Sequence, residues 1–312
     1  MSTDLRRHVL NGPTMGSRWS AVLFAPPAFD GTRLRTALQA AVDEVDAQMS
    51  TWRPDSDLMR LNRAPVGEWV AVPSGLVTVL RLGLQISLAS GGAFDLATGD
   101  AVTAWGFGPQ AASTQAIRTA MTVNRSPTHE VLDLEPERLR KRAPLTLDLN
   151  GIAKGFGVDR LAETVLDAGL THALVSIDGE VRALGQRPDG EGWAIAIEAP
   201  DPNRRAPHSV LVLQDAAIAT SGDYRHWVDV GTRRLSHTMD PARGMPLPDP
   251  PASVSVVART CAEADAWATA LMVLGPAAGS ELARERHLDA VFLHRVGGRL
   301  LETRVGGLFG LR

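Results

Sequence analysis

The sequence predicts an α+β fold, because strand-like segments come in blocks and helices are scattered among them. The regular alternation of strand and helix that a doubly wound sheet requires is absent from this pattern. Apolar residues make up 44% of the 312 residues and charged residues 21%, which supports a sizeable core and excludes global disorder. We therefore expect a single bilobed domain over residues 1–312, with mixed or antiparallel sheets and peripheral helices.

The first half of the chain is predicted to begin with a strand over residues 17–24, where apolar and polar residues alternate loosely. A helix follows, because apolar residues recur every three or four positions and form one stripe: Leu34, Leu38, Val42, Val45 and Met49. A second helix is predicted over residues 74–89 and ends at Gly91 and Gly92. Residues 100–142 are rich in glycine and proline, so we expect irregular structure there.

The second half is predicted to consist mainly of strands. Residues 145–149 are strand-like, and a helix is expected after Gly151. The strand signals that follow lie at residues 172–177, 180–185, 193–198, 208–213, 217–220, 225–230 and 233–238. A buried strand over residues 252–258 then precedes helices over 262–274 and 276–286, and two short strands end the chain.

The charge balance argues against a general nucleic-acid binder. Lysine and arginine total 32 and the acidic residues 35, so the basic excess typical of such proteins is missing. The only cysteine, Cys261, excludes an internal disulfide and a metal site built from several cysteines. Only Lys141 and Lys154 are lysines, and this scarcity draws attention to the place of each.

The sequence also predicts a chain that does not insert into membranes. No segment approaches the roughly 18 consecutive apolar residues of a membrane span. The arginines near the N-terminus are not followed by the apolar stretch of a secretory signal. We therefore expect a cytoplasmic location.

Residues 147–155, LDLNGIAKG, form the first candidate site. They combine a strand end, a glycine turn and the first turn of a helix that carries Lys154. Such a helix start binds anions, and a lysine there can reach a phosphate. A surface lysine on an ordinary turn explains the same local pattern equally well, and the spacing is not that of a Walker A loop. The scarcity of lysine favours the functional interpretation.

Asp265 and Thr269 form the second candidate site, since their spacing of four residues puts them on one helix face. A carboxylate and a hydroxyl are hard oxygen ligands of the kind that Mg²⁺ accepts. A structural explanation is the stronger one on these residues alone. The positive end of the helix dipole stabilises a carboxylate such as that of Asp265 near the helix N-terminus. The hydroxyl of Thr269 can donate a hydrogen bond to a preceding main-chain carbonyl of the same helix.

Two polar turns complete the candidates. His237 stands at a strand end near Asp240, where a histidine can act as a general base, although a solvated β-turn explains it as well. Residues 90–95, SGGAFD, can let the backbone approach a ligand, but a helix C-cap is the simpler explanation. Ser221 does not indicate a serine hydrolase, because no G-x-S-x-G elbow is present.

The order of these motifs resembles that of the ApbE-type flavin transferases, the FAD:protein FMN transferases. The matching segments lie at residues 14–17, 49–52, 91–95, 148–155, 176–180, 220–224, 236–241 and 264–269, together with Asp57, Asn62, Asp159 and Gly244. They cover nearly the whole chain, and so many motifs in one order make a chance resemblance improbable.

This resemblance implies an Mg²⁺-dependent enzyme that moves FMN from FAD to a threonine or serine hydroxyl of a target flavoprotein and releases AMP. It implies that Mg²⁺ is held by Asp265, Thr269 and the backbone carbonyl of Gly151. It also implies contacts with FAD from Met15, Trp52, Ala93, Phe94, Asp95, Asp148, Lys154, and Thr238 or Met239. Lys154 then balances the pyrophosphate charge, and His237 is the candidate base for the incoming hydroxyl.

The chain departs from the family pattern at three positions. Trp52 replaces the usual tyrosine, so it can stack on a flat ring but lacks the phenol hydroxyl. Asp178 stands where a second glycine is usual, and we expect it to narrow the neighbouring turn. Ala268 occupies a position where some relatives carry an aspartate, which predicts weaker Mg²⁺ binding.

Two alternative functions remain open from the sequence. One is an Mg²⁺-dependent FAD pyrophosphatase, in which water replaces the protein hydroxyl and free FMN and AMP result. The other is a non-catalytic flavin-binding protein. The pair Asp265 and Thr269 speaks against that second alternative, because storage of a flavin needs no metal.

Overall fold

The computed structural model describes residues 5–224, 227–230 and 233–309. The strands are β1 (Arg6–Thr14), β2 (Ser17–Ala25), β3 (Trp69–Ala71), β4 (Leu132–Leu134), β5 (Arg138–Lys141), β6 (Ala173–Ile177), β7 (Glu180–Leu184), β8 (Trp193–Glu198), β9 (Pro207–Leu213), β10 (Ala217–Gly222), β11 (Trp227–Val230), β12 (Arg233–Ser236), β13 (Met239–Asp240), β14 (Met245–Pro246), β15 (Ser253–Ala258), β16 (Asp289–Val296) and β17 (Arg299–Val305). The helices are α1 (Gly31–Met49), α2 (Asp57–Arg63), α3 (Ser74–Ala89), α4 (Gly99–Ala104), α5 (Thr114–Thr122), α6 (Thr128–Val131), α7 (Ala153–Asp167) and α8 (Cys261–Glu285).

An eight-stranded sheet organises the fold, with the strand order β1-β2-β6-β7-β10-β15-β16-β17. Its strand pairs are antiparallel. A small sheet of β3, β5 and β4 and three two-stranded hairpins accompany it. The α+β prediction is therefore confirmed, and of the two sheet types it allowed, the antiparallel one is found.

The two faces of this sheet are covered differently. On one face, alternate residues such as Val254 and Phe292 pack with α3 and α8, and Val175 packs with α1 and α7. On the other face, their neighbours Val257 and Val291 pack under the β8–β9 hairpin. Because both faces are covered, β15 is buried along nearly its whole length, as the sequence predicts.

The strand predictions between residues 172 and 236 agree with β6 to β12 within a few residues. Residues 225 and 226 of the predicted strand 225–230 lie outside the described residues. The predicted helices 262–274 and 276–286 form the single element α8, which is kinked at Gly275, where φ is 72° and ψ is 177°. The proline that follows the kink cannot donate a helical hydrogen bond.

Three local predictions are wrong. Residues 145–149 form no strand, because their main chain bonds elsewhere: Leu147 pairs with the Asn62 side chain, and the Asp148 N–H donates to a loop carbonyl. Residues 100–142, where irregular structure was expected, contain α5, β4 and β5 among other short elements. Strand β1 was not predicted, although it pairs with β2 along its whole length.

In the described part of the chain, no helix has both the length and the apolar character needed to cross a bilayer.

Candidate active site

A cavity of about 1160 Å³ lies where the turns between these elements converge. It is lined by every site residue that the sequence predicted: Met15, Trp52, Ala93, Phe94, Asp95, Asp148, Gly151, Lys154, His237, Thr238, Met239, Asp265 and Thr269. These residues come from segments far apart in the chain. The structure therefore brings the complete predicted set together around one space.

Lys154 projects from the first turn of α7 toward two acids. Its Nζ lies 2.6 Å from Glu180 Oε1 and 3.9 Å from Asp178 Oδ2. Burial alone lowers the pKa of Lys154, but the carboxylates of Glu180 and Asp265 outweigh burial and hold it above its ordinary value. The lysine is therefore a permanent positive charge at the cavity wall. Glu180 received no individual role from the sequence, although it lies within a matching motif.

Asp265 and Thr269 lie on the first turns of α8, which begins after its cap residue Thr260. Asp265 is 5% exposed, and its Oδ2 accepts a hydrogen bond from the Gly155 N–H at 3.0 Å. Burial, helped by the charge of Glu180, raises the pKa of Asp265 to about 7. Thr269 Oγ1 lies 3.2 Å from Ser221 Oγ on β10. The predicted pair thus faces the cavity from one helix.

Gly151 packs directly against Thr269. A Cβ at position 151 would lie 2.9 Å from Thr269 Oγ1, so only glycine fits this approach without a shift. The loop that carries Gly151 therefore runs beside Thr269, which shares a helix face with Asp265.

These residues fit a magnesium ion by their chemistry. The described residues contain no group of three His, Cys, Asp or Glu side chains able to hold a metal. A site with one carboxylate, one hydroxyl and a main-chain carbonyl is instead the sparse oxygen set that Mg²⁺ uses when water and phosphate complete its shell. Burial raises the pKa of Asp265, and a nearby cation would stabilise the ionised form of this carboxylate.

Asp148 is held by its own loop. Its two oxygens accept hydrogen bonds from the Asn150 N–H at 2.9 Å and from Asn150 Nδ2 at 3.0 Å. Burial raises the pKa of Asp148 to about 6, and the hydrogen bond from the Asn150 main chain only partly offsets this. Asn62 clamps the preceding residue: its Nδ2 donates to Leu147 O at 2.9 Å, and its Oδ1 accepts from the Leu147 N–H at 2.8 Å.

The turn at residues 90–95 forms the predicted helix C-cap and also lines the cavity. Ser90 is the C-cap of α3, and Gly91 and Gly92 follow with positive φ values of 62° and 83°. The Asp95 carboxylate accepts hydrogen bonds from Ser87 Oγ, the Ala97 N–H, and both the N–H and the hydroxyl of Thr128. These hydrogen bonds connect the turn to neighbouring segments, so Asp95 stabilises this wall of the cavity.

Met15 reaches the cavity through a tight turn. Met15 and Gly16 link β1 to β2 with φ values of 45° and 69°, the conformation of a two-residue hairpin turn. Asp178 also has a positive φ, 56°, in the turn between β6 and β7. It places a carboxylate near Lys154, at a backbone conformation that costs energy for a residue with a side chain.

The remaining predicted residues line the other side of the cavity. Trp52 is 63% exposed at its mouth, so its ring is available for stacking. The His237 ring lies 6.4 Å from the Phe107 ring, centroid to centroid, and Thr238 and Met239 beside it are buried. The nearby Asp240 accepts hydrogen bonds from the N–H groups of its own turn.

One wall of the cavity was not predicted from the sequence. It is formed by the β8–β9 hairpin and its neighbours: Ile195, Ala196, Ile197, Glu198, Arg205, Ala206, Pro207 and Tyr224. The alternating pattern of β8 predicts a strand but gives no sign of what lies next to it. Of these residues, Tyr224 lies within one of the matching motifs, residues 220–224.

Fold and site together define an α+β protein in which a buried carboxylate, a hydroxyl and a charged lysine line one cavity. The model of the ApbE family matches residues 15–292. The FAD:protein FMN transferase of Vibrio cholerae is 37% identical over 289 residues, covering 91% of this chain and 86% of that protein. The protein of the same name from Escherichia coli K12 is 33% identical over 297 residues, covering 93% and 84%.

Solved structures agree. The flavin transferase ApbE from Vibrio cholerae superimposes with a TM-score of 0.86 at 34% identity and 98% coverage of both chains. The apo flavinyl transferase ApbE of Pseudomonas stutzeri gives 0.87 at 35% identity, with 99% and 98% coverage. The chain belongs to the ApbE family. Family membership confirms the resemblance seen in the sequence and the prediction that the protein is an enzyme, a transferase.

Proposed function

We propose that this chain transfers FMN from FAD to a serine or threonine hydroxyl of an acceptor protein, with Mg²⁺ as cofactor and AMP as the leaving group. The names of its relatives support flavin transfer. The observation that carries the proposal is the meeting of Lys154, the pair Asp265 and Thr269, and His237 around one cavity. We also propose that residues 1–312 act as one flavin transferase domain, because the cavity draws on residues from 15 to 269.

The reaction replaces the phosphoanhydride bond of FAD by a phosphate ester bond to the acceptor. The acceptor oxygen attacks the phosphorus of the FMN half of FAD, and the bond from that phosphorus to the bridging oxygen breaks. The hydroxyl proton passes to His237, which acts as general base. Lys154 offsets the negative charge of the pyrophosphate and of the departing AMP, and its raised pKa keeps it charged.

Mg²⁺, when bound, supplies Lewis-acid polarisation of the phosphates. Asp265, Thr269 and the carbonyl of Gly151 are its proposed protein ligands. Asp265 has to lose its proton to serve, and its pKa of about 7 makes this possible near neutral pH.

The flavin is proposed to lie against Trp52 at the mouth of the cavity, since an exposed indole offers a flat apolar face. Met15, Ala93, Phe94, Asp95, Asp148, Thr238 and Met239 complete the proposed contacts with FAD. Positioning of the phosphorus between the attacking hydroxyl and the leaving group accounts for a large part of such catalysis.

The test is to incubate the full chain with FAD, Mg²⁺ and candidate acceptor proteins, and to measure acceptor mass and free nucleotides. We expect an acceptor heavier by one FMN and an equal amount of AMP. Free FMN without an adduct supports the pyrophosphatase alternative instead. FAD that binds but stays intact supports the non-catalytic alternative. The Asp265→Asn variant is the matched control, because it keeps the shape of the site and removes one charge.

A further inference from the structure

The β8–β9 hairpin meets the cavity along the edge of a strand. Four consecutive residues of β8, from Ile195 to Glu198, line the cavity. Successive side chains of a strand point to opposite faces, so consecutive residues border one space only where the edge of the strand faces it. Ile195 and Ile197 are buried and Ala196 is exposed, which agrees with this geometry. The main chain of β8 therefore borders the cavity.

This edge of β8 carries no further strand in the described ranges. The hairpin is a two-stranded sheet in which β8 pairs with β9 from Trp193 opposite Leu213 to Glu198 opposite Pro207. In an antiparallel pair, alternate residues direct their N–H and C=O groups away from the partner strand. Alternate residues of the cavity-lining stretch 195–198 thus direct main-chain N–H and C=O groups away from β9, at the edge that borders the cavity.

The outer face of β8 leaves room beside this edge. Its exposed residues are the small Ala194 and Ala196, which lie opposite Val212 and Val210 of β9. Small side chains at the border of an open strand leave space for the larger side chains of a neighbouring strand. An open edge of this kind is a template for pairing with another chain.

A short chain of contacts links β8 to the proposed reaction centre. Thr269 Oγ1 contacts Ser221 Oγ at 3.2 Å on β10. Gly222 follows Ser221 and packs closely under the Tyr224 ring, where an added Cβ would lie 2.7 Å from Cε1. The Tyr224 hydroxyl donates to Glu198 Oε2, also at 3.2 Å. The C-terminal end of β8 is therefore only a few side chains away from Thr269.

We propose that the open edge of β8 docks an extended segment of the acceptor protein, which adds as a third strand and delivers its serine or threonine hydroxyl into the cavity. This inference rests on the proposed function, which requires a polypeptide to enter the same cavity as FAD. Main-chain hydrogen bonds to β8 supply affinity with little demand on sequence, and alternate side chains of the segment supply specificity.

The first test probes the main-chain hydrogen bonds. The full chain, FAD and Mg²⁺ are incubated with short synthetic peptides that each carry one threonine, and mass spectrometry identifies those that gain FMN. N-methyl groups are then placed along an accepted peptide, one residue at a time. We expect kcat/KM to fall about tenfold at every second position, since each such position loses one hydrogen bond to β8. Losses without this two-residue period overturn the proposal.

The second test separates the edge of the hairpin from its face. Ala194 and Val212 lie directly opposite each other on the same exposed face. Ala194 is on β8, next to the cavity-lining Ile195, whereas Val212 is on β9 and adjoins the outer edge of that strand. We expect Ala194→Lys to raise KM for the accepted peptide severalfold without changing the FAD dissociation constant, and Val212→Lys, the matched control, to change neither. Equal effects of the two variants indicate docking on the face, as a second copy of the chain would dock, and overturn the proposal.

Failure of the inference can be told apart from failure of the proposed function. If no peptide gains FMN, docking of an extended segment is overturned. The nucleotides in the same reactions then report on the enzyme: FAD converted to free FMN and AMP shows that the site still cleaves FAD. Intact FAD in every reaction overturns the proposed function as well.

Discussion

The main-chain N–H of Gly155 donates to Asp265 Oδ2 at 3.0 Å, and this hydrogen bond ties the start of α7 to the start of α8. Lys154 immediately precedes Gly155, and Thr269 stands one turn after Asp265. One carboxylate therefore caps the helix that carries the lysine and shares a helix face with the hydroxyl. The proposed cation ligands and the proposed phosphate-binding lysine are positioned by the same contact.

Substitution of Asp265 tests the proposed metal site. Asp265→Asn keeps an oxygen for the Gly155 N–H but removes the charge that Mg²⁺ requires. We expect the FMN transfer rate to fall by roughly 100-fold or more, because a metal at a phosphoryl centre contributes several kcal/mol to the transition state. Glu263→Gln changes a neighbouring acid of the same helix and serves as control. Similar rates for wild type and Asp265→Asn contradict a metal role for this residue.

The pH dependence of stability reports on the same carboxyl group. The folded-state pKa of Asp265, about 7, lies above its ordinary value of 3.8, so folding favours the protonated form. This contribution is complete below the ordinary pKa and is lost as the pH rises through about 7. We expect the metal-free protein to have a lower Tm at about pH 8 than at about pH 6, and Asp265→Asn to reduce this difference. A difference that is the same in the variant contradicts the assignment.

Substitutions in the ion pair of Lys154 and Glu180 distinguish its contribution to stability from its contribution to activity. Lys154→Met leaves Glu180, which is 3% exposed, without its 2.6 Å partner. We expect the free energy of unfolding to fall by about 2 kcal/mol, less than for a fully buried pair because Lys154 is partly exposed. The double variant with Glu180→Gln should regain part of this stability in denaturant titrations but none of the transfer activity. Activity that returns with stability contradicts a direct role for the lysine.

His237 is tested through its proposed role as base. We expect His237→Ala to lower the transfer rate by about 100-fold, within the usual range for general base catalysis, and to leave the dissociation constant of FAD nearly unchanged. Rates are measured over pH, where the variant should lose the rise that deprotonation of an imidazole causes. Full transfer activity in the variant removes His237 from the mechanism.

The sequence predicted those site residues whose spacing already implies geometry. Asp265 and Thr269 share a helix face because they are four residues apart, and the structure puts both at the cavity. Lys154 follows a glycine turn at a helix start, and it too lines the cavity. Family resemblance added residues such as Met15 and Trp52, for which no local pattern gives a reason.

Contacts that side chains make with distant main chain were not predicted, even for residues of the matching motifs. Asn62 clamps Leu147 from a different part of the chain, and the same clamp replaces the strand expected at residues 145–149. The sequence predicts the strand β8, but it does not predict that one edge of this strand is unpaired and borders the cavity. Which edges are unpaired depends on the topology of the sheet. Burial of Glu180 under Lys154 likewise depends on how β7 meets α7.

The central claim is that FMN moves to a protein hydroxyl within this cavity, and one measurement in ¹⁸O-labelled water tests it most directly. The chain, FAD, Mg²⁺ and an acceptor are incubated, and FMN, AMP and acceptor are analysed by mass spectrometry. We expect FMN on the acceptor, AMP in equal amount, and no ¹⁸O in either phosphate, because the attacking oxygen belongs to the acceptor. Free FMN or AMP carrying ¹⁸O, with the acceptor unchanged, means that water was the nucleophile and contradicts the account.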